Sequence, residues 1–86
     1  MTYFVYLIIS KNKNKYISYV GYTSNISNRI KLHNNSKGAK FTKGRKWTLI
    51  YKKEYKLKSL AMKEEAKLKK NYQLRNMIKQ KYIKND

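Results

Sequence analysis

The chain of 86 residues sets 22 Lys and Arg against 4 Asp and Glu, a formal net charge of +18. That length suits one domain with one modest core, and the lack of cysteine excludes disulfides and thiolate-bound zinc. Charge of this sign draws a chain to polyanions, nucleic acid before anionic membrane. Abundant Lys, Asn, Ile and Tyr is also the pattern of an AT-rich genome. Such a bias accounts for the lysines and leaves the scarcity of carboxylates unexplained.

The chain opens with MTYFVYLIIS, whose apolar run from Phe4 to Ile9 is too short to cross a bilayer. It lacks the basic front and small-residue cleavage site of a secretory signal. The expectation is an intracellular protein of the cytoplasm, the nucleoid or a DNA-containing organelle, neither secreted nor membrane-bound. Residues Tyr3 to Ile9, β-branched and aromatic, predict a strand. KNKNK at 11–15 predicts a turn, and Lys15 to Tyr22 a second strand, completing a β-hairpin. Ser24 or Asn25 can cap a helix whose apolar stripe is Ile26, Ile30 and Leu32. On it Arg29 and His33, four apart, share one face.

NNSKGAKFTKGRK at 34–46 is a basic loop with two glycines. WTLIY at 47–51 predicts a third strand reaching toward Tyr55. From about Ser59 the pattern is helical, with Leu57, Leu60, Ala61, Leu68 and Tyr72 on one arc. A bend near Asn71 precedes a second helix bearing Leu74, Met77, Ile78 and Tyr82, and the last residues are expected to fray. The order ββαβαα predicts an α+β fold, a small three-stranded antiparallel sheet flanked by helices. Residues 1–86 form a single domain on this reading, with a basic helical end from about 71.

The inventory of reactive groups is narrow. The carboxylates are Glu54, Glu64, Glu65 and Asp86, and the one histidine is His33. Two-metal nucleases need several carboxylates and histidine metal sites several imidazoles. A metal-dependent enzyme built from this set uses one ion and one glutamate. Tyr6 and Tyr19 in neighbouring strands are ordinarily cross-strand packing, and Gly21 by itself marks only a close backbone approach. Arg29 is one of three arginines, and a planar guanidinium suits phosphate oxygens better than lysine does.

Taken in order, FVY at 4–6, YVG at 19–21 and TSNISNRIKLH at 23–33 resemble the GIY-YIG nuclease domain. SKGAKFT at 36–42, WTLIYKKEY at 47–55 and the EEAKLKK helix are similar to its small stand-alone members, related to the excision-repair nuclease module. The likeness runs from about Tyr3 to Lys70. Phe4 replaces the first glycine of the family's name, and Val5 and Val20 replace its isoleucines; none of these changes removes a reactive group.

The resemblance implies a Mg²⁺- or Mn²⁺-dependent endonuclease acting on DNA, with RNA as a second possibility, in repair or recombination. It implies that Tyr6 helps activate the attacking water and that Tyr19 orients water or phosphate. Arg29 would stabilise the developing charge, His33 steer or donate a hydrogen bond, and Glu65 hold the single ion. Asn71 and Asn76 are both candidates for an asparagine that some members carry. On a helical wheel Glu64 points nearer the centre of the apolar arc and Glu65 nearer its edge. Motif spacing favours Glu65, with Glu64 as the fallback.

A free phenol, with a pKa of about 10, is a poor base at neutral pH. Arg29 and nearby lysines are expected to lower that value for Tyr6. Lys37, Lys40, Thr42, Lys43, Arg45, Lys46 and Lys69 are the expected nucleic-acid contacts. No base-reading helix stands out, so binding by structure or with weak sequence selectivity is expected, specificity coming from a partner protein or a homodimer. The alternatives are a non-catalytic nucleic-acid-binding module on the same fold and a basic protein ordered only by RNA.

Overall fold

A computed structural model describes residues 1–84. Asn85 and Asp86, where fraying is expected and the fourth carboxylate sits, lie outside the described residues. The elements are β1 (Tyr3–Asn12), β2 (Lys15–Thr23), α1 (Ile26–Asn34), a 3₁₀ turn (Lys40–Thr42), β3 (Thr48–Tyr55), α2 (Lys58–Lys70) and α3 (Tyr72–Lys84). The order is ββαβαα, and the sheet is antiparallel with β1 between β2 and β3.

β1 is central, which is why its apolar run is continuous. Val5 and Leu7 point to one face, Tyr6 and Ile8 to the other, and all four are at most 2% exposed. On the first face Val5, Leu7 and Val20 meet Ala61 and Leu68 of α2, with Ile78 of α3 alongside. On the second, Tyr6, Ile8 and Trp47 meet Ile26 and Ile30 of α1. The sheet is thus a middle layer between helices.

The run Leu49-Ile50-Tyr51 cannot alternate in and out, and a bulge resolves it. The β1–β3 register shifts between Leu7 and Ile8, pairing Leu7 with Tyr51 but Ile8 with Leu49. Ile50, the extra residue, joins Tyr51 on the α2 face while Leu49 stays with Trp47.

The helical arcs are narrower than the sequence suggests. Only Ala61 and Leu68 of α2 are buried, whereas Leu57, Leu60 and Tyr72 are 62%, 42% and 66% exposed. A three-stranded sheet offers one helix little more than a single line of contact. The fully buried side chain of α1 is His33. Asn25, not Ser24, is the N-cap, its Oδ1 accepting from Asn28 N at 3.1 Å. Asn71 lies at the bend and caps α3, its Oδ1 accepting from Leu74 N at 3.0 Å.

Candidate active site

Pairing places Tyr6 opposite Gly21. A Cβ on Gly21 would run into the Tyr6 hydroxyl, so the missing side chain lets the phenol lie across the neighbouring strand. Beyond Gly21 the hydroxyl reaches α1 and bonds His33 Nε2 at 2.7 Å. His33 Nδ1 lies 2.9 Å from Thr42 Oγ1, and the Thr42 hydroxyl donates to Ala39 O at 2.9 Å while accepting from Ala39 N at 3.2 Å.

One arrangement of protons makes all of these bonds at once. Thr42 has one hydroxyl hydrogen, and Ala39 O takes it. The hydrogen between Thr42 and the imidazole therefore belongs to Nδ1, which donates to Thr42 Oγ1. Nε2 is left bare and accepts from the Tyr6 hydroxyl. Burial, then the Arg29 charge, hold the His33 pKa below its ordinary 6.5, which keeps the ring neutral. The Tyr6 phenol is pushed up, chiefly by burial and next by Tyr19, with Arg29 pulling the other way. The expected lowering by Arg29 is thus outweighed, because the phenol is only 2% exposed and desolvation penalises phenolate.

A cleft of about 490 Å³ opens over the β2 edge of the sheet. Tyr6, Tyr19 and Gly21 line it from the strands, Arg29 from α1, and Glu65 and Lys58 from α2. Residues from both helical layers meet there because β2, an edge strand, leaves the sheet open on that side. Tyr6, Tyr19, Arg29 and Glu65 share this cleft, while His33, 1% exposed, stands behind Tyr6 with its ring centroid 5.2 Å from that of Tyr19. Both His33 nitrogens are engaged, so it is not a metal ligand.

Glu64 lines a different hollow with Tyr51, Tyr55 and Asn71 and pairs with Lys67 at 3.2 Å. Glu65 pairs with Lys69 at 3.7 Å, and its side chain is 18% exposed against 28% for Glu64. The order read from the helical wheel is reversed, because Ala61 and Leu68 bracket both residues and the β2 side covers Glu65 more. Neither Asn71 nor Asn76 lines the Tyr6 cleft.

A further correction concerns Thr42. Expected on the binding surface, it is 0% exposed and orients His33 instead of touching a ligand. Lys37, Lys40, Lys43 and Lys46 are exposed and Arg45 half-buried. Lys43, Arg45 and Lys46 gather with Lys11 around a separate basic hollow. Lys69 is exposed on α2, facing Phe41 and Arg75.

Three supporting residues escaped the sequence reading. A Cβ on Gly38 would fall on His33 Nδ1, so that glycine makes room for the imidazole. Asn34 clamps the loop by accepting from Trp47 N at 2.6 Å and donating to Trp47 O at 3.2 Å. Trp47 Nε1 in turn donates to Thr42 O at 2.9 Å. The scarcity of glycine in the chain was the available signal for Gly38; Asn34 gave none among so many asparagines.

The family model for the GIY-YIG catalytic domain matches residues 2–82. The chain belongs to the GIY-YIG family. Membership marks it as kin to nucleases and nucleic acid as the class of substrate. A UPF0213 protein of Oceanobacillus iheyensis is 37% identical over 68 residues, covering 78% of this chain and 76% of the relative. A UPF0213 protein of Bacillus velezensis is 32% identical over 83 residues, 95% of this chain and 78% of the relative. The solution NMR structure of a UPF0213 protein from Bacillus halodurans is 31% identical and covers 94% of this chain and 86% of that one, with a TM-score of 0.49. No helix of this GIY-YIG chain among the described residues is long and apolar enough to cross a membrane.

GIY-YIG nucleases are generally metal-dependent, and the donor set can be tested for fit. Among the described residues no three His, Asp or Glu side chains cluster to cage an ion. One carboxylate, Glu65, borders an open cleft rich in hydroxyl groups. That set fits a hard, oxygen-preferring cation that keeps most of its waters, as Mg²⁺ does. It does not suit zinc.

Proposed function

We propose that this chain is a metal-dependent endonuclease that hydrolyses DNA phosphodiester bonds, selecting by structure or only weakly by sequence. The observation that carries the reading is the Tyr6 hydroxyl, which borders a cleft beside Arg29 and Glu65 while donating to the bare nitrogen of a neutral imidazole. Glu65 would hold a single Mg²⁺ or Mn²⁺, which when bound supplies Lewis acidity to the phosphate.

The chain's own residues do the rest. A free Tyr6 phenolate is disfavoured by burial, so Tyr6 works as a relay. Its oxygen takes a proton from the attacking water as its own proton passes to His33 Nε2. Thr42 and Gly38 hold the imidazole in the tautomer that can receive it. Arg29 directs guanidinium donors at the charge that grows on the phosphate, usually the largest catalytic contribution. Tyr19, across the cleft, orients the scissile phosphate or the water. Sequence selectivity, where present, comes from a partner protein or a second copy, and RNA is a further substrate to assay.

The test is cleavage of supercoiled plasmid, duplex and branched DNA with Mg²⁺ or Mn²⁺ and with chelator. Wild type should cut only with the ion. Tyr6→Phe, Arg29→Lys and Glu65→Gln should each lower the rate on the order of 10²-fold or more while remaining folded. Full activity in all three would overturn these roles. Tight binding with no cleavage under either ion would leave the non-catalytic module instead.

A further inference from the structure

Phe41 is 55% exposed, yet it is held firmly. The next residue, Thr42, is wholly buried and bonded to His33 and Ala39, and Trp47 Nε1 pins its carbonyl. The turn Lys40–Thr42 is thus anchored from inside and presents one benzyl ring outward. That ring lies nearly parallel to Tyr19, with centroids 6.2 Å apart and planes 20° apart, and leans on Trp47 at 6.3 Å.

Tyr19 belongs to two depressions. One is the cleft with Tyr6, Arg29 and Glu65. The other, about 250 Å³, is lined by Phe41, Lys69, Arg75, Ser18 and Val20 as well. A strand leaving the cleft over Tyr19 therefore meets an aromatic face with two cations beside it. A protein partner able to cover Phe41 would have to bury apolar surface amid strong positive charge. A nucleotide matches both features, since it couples a flat π face to a phosphate. In duplex DNA the faces of the bases are hidden in the stack, so this platform suits only a base that has left it.

We propose that Phe41 is the stacking platform for one unpaired base next to the scissile phosphate, with Lys69 and Arg75 holding that strand's backbone. The substrate class is then DNA opened at the cut (a flap, bubble or single-stranded branch) in preference to uninterrupted duplex. The inference rests on the endonuclease reading for its placement beside the cut, and its test is independent of cleavage.

The experiment places the fluorescent base 2-aminopurine at successive positions across a flapped DNA and measures quenching and affinity with chelator present. Wild type should quench at one junction position. Phe41→Ala, checked by circular dichroism, should lose that quenching and on the order of tenfold in affinity for the flap, within the range of base–aromatic stacking. Its affinity for plain duplex should be unchanged, and Phe41→Trp should restore both signals. Quenching and flap affinity unaltered in Phe41→Ala, or equal losses on flap and duplex, would overturn the proposal. A protein that never cuts but quenches through Phe41 would keep the stacking platform and sink the nuclease together with the platform's placement beside a cut; one that cuts without Phe41-dependent quenching would keep the nuclease and sink the platform.

Discussion

The two faces of the sheet are both buried and built for different ends. Toward α2 the core is hydrocarbon: Val5, Leu7, Val20, Ala61 and Leu68. Toward α1 it contains a hydrogen-bonded file of Tyr6, His33 and Thr42 beside Ile8 and Trp47. None of the buried side-chain polar atoms among the described residues lacks a partner, so the polar file escapes the cost of unsatisfied groups. The first face supplies stability through burial. The second gives up some hydrocarbon to keep a hydrogen-bonded polar file inside the fold, next to the cleft.

Four experiments can break or sharpen that contrast. Leu7→Ala, at a 0% exposed position, should cost about 2–5 kcal/mol in denaturant unfolding. Cleavage per folded molecule at low temperature should stay near wild type, and a selective loss of activity would erase the division between the faces. Gly38→Ala puts a methyl group onto His33. It should cost about 1–3 kcal/mol through overpacking and lower cleavage further than the lost stability explains, read from rates on protein shown folded by circular dichroism.

The third concerns pH. Folding depresses the His33 pKa, so the unfolded chain binds the proton more readily. Stability from this residue is complete above the ordinary value of 6.5 and is lost as pH falls toward the folded value. Cleavage should fall in the same acidic range, because protonated Nε2 cannot accept from Tyr6. His33→Gln should flatten the acid limb of the stability curve, measured by melting across pH; an unchanged limb would place its cause elsewhere. The smallest effect belongs to the exposed loop. Lys37→Ala should leave stability within about 0.5 kcal/mol of wild type while reducing the salt slope of DNA binding by roughly 0.9, measured by titration at several salt concentrations.

The order of elements was legible in the sequence because β1 and β2 carry dense β-branched and aromatic residues and polar turn residues separate them. The third strand was legible as a run of apolar residues, though nothing local announces the bulge that puts Ile50 and Tyr51 on the same face. Tyr6, Tyr19, Arg29 and Glu65 were candidates from residue type and family motif. Helical spacing sets His33 on the face of Arg29, whereas Thr42, expected at the surface, is wholly buried. A threonine in a lysine-rich loop looks exposed unless its partner nine residues back is known.

By itself, then, the sequence determined the kind of protein: charge, strand and helix order, and a scarce set of reactive groups follow from residue identity and local spacing. Only the tertiary structure decided which groups stand together. It put Glu65 rather than Glu64 in the cleft with Tyr6 and Arg29, by the side of α2 that meets the β2 edge, and it raised rather than lowered the pKa of the Tyr6 phenol. Burial and proton direction are set by neighbours distant in the chain, and no local pattern encodes how far a group stands from water.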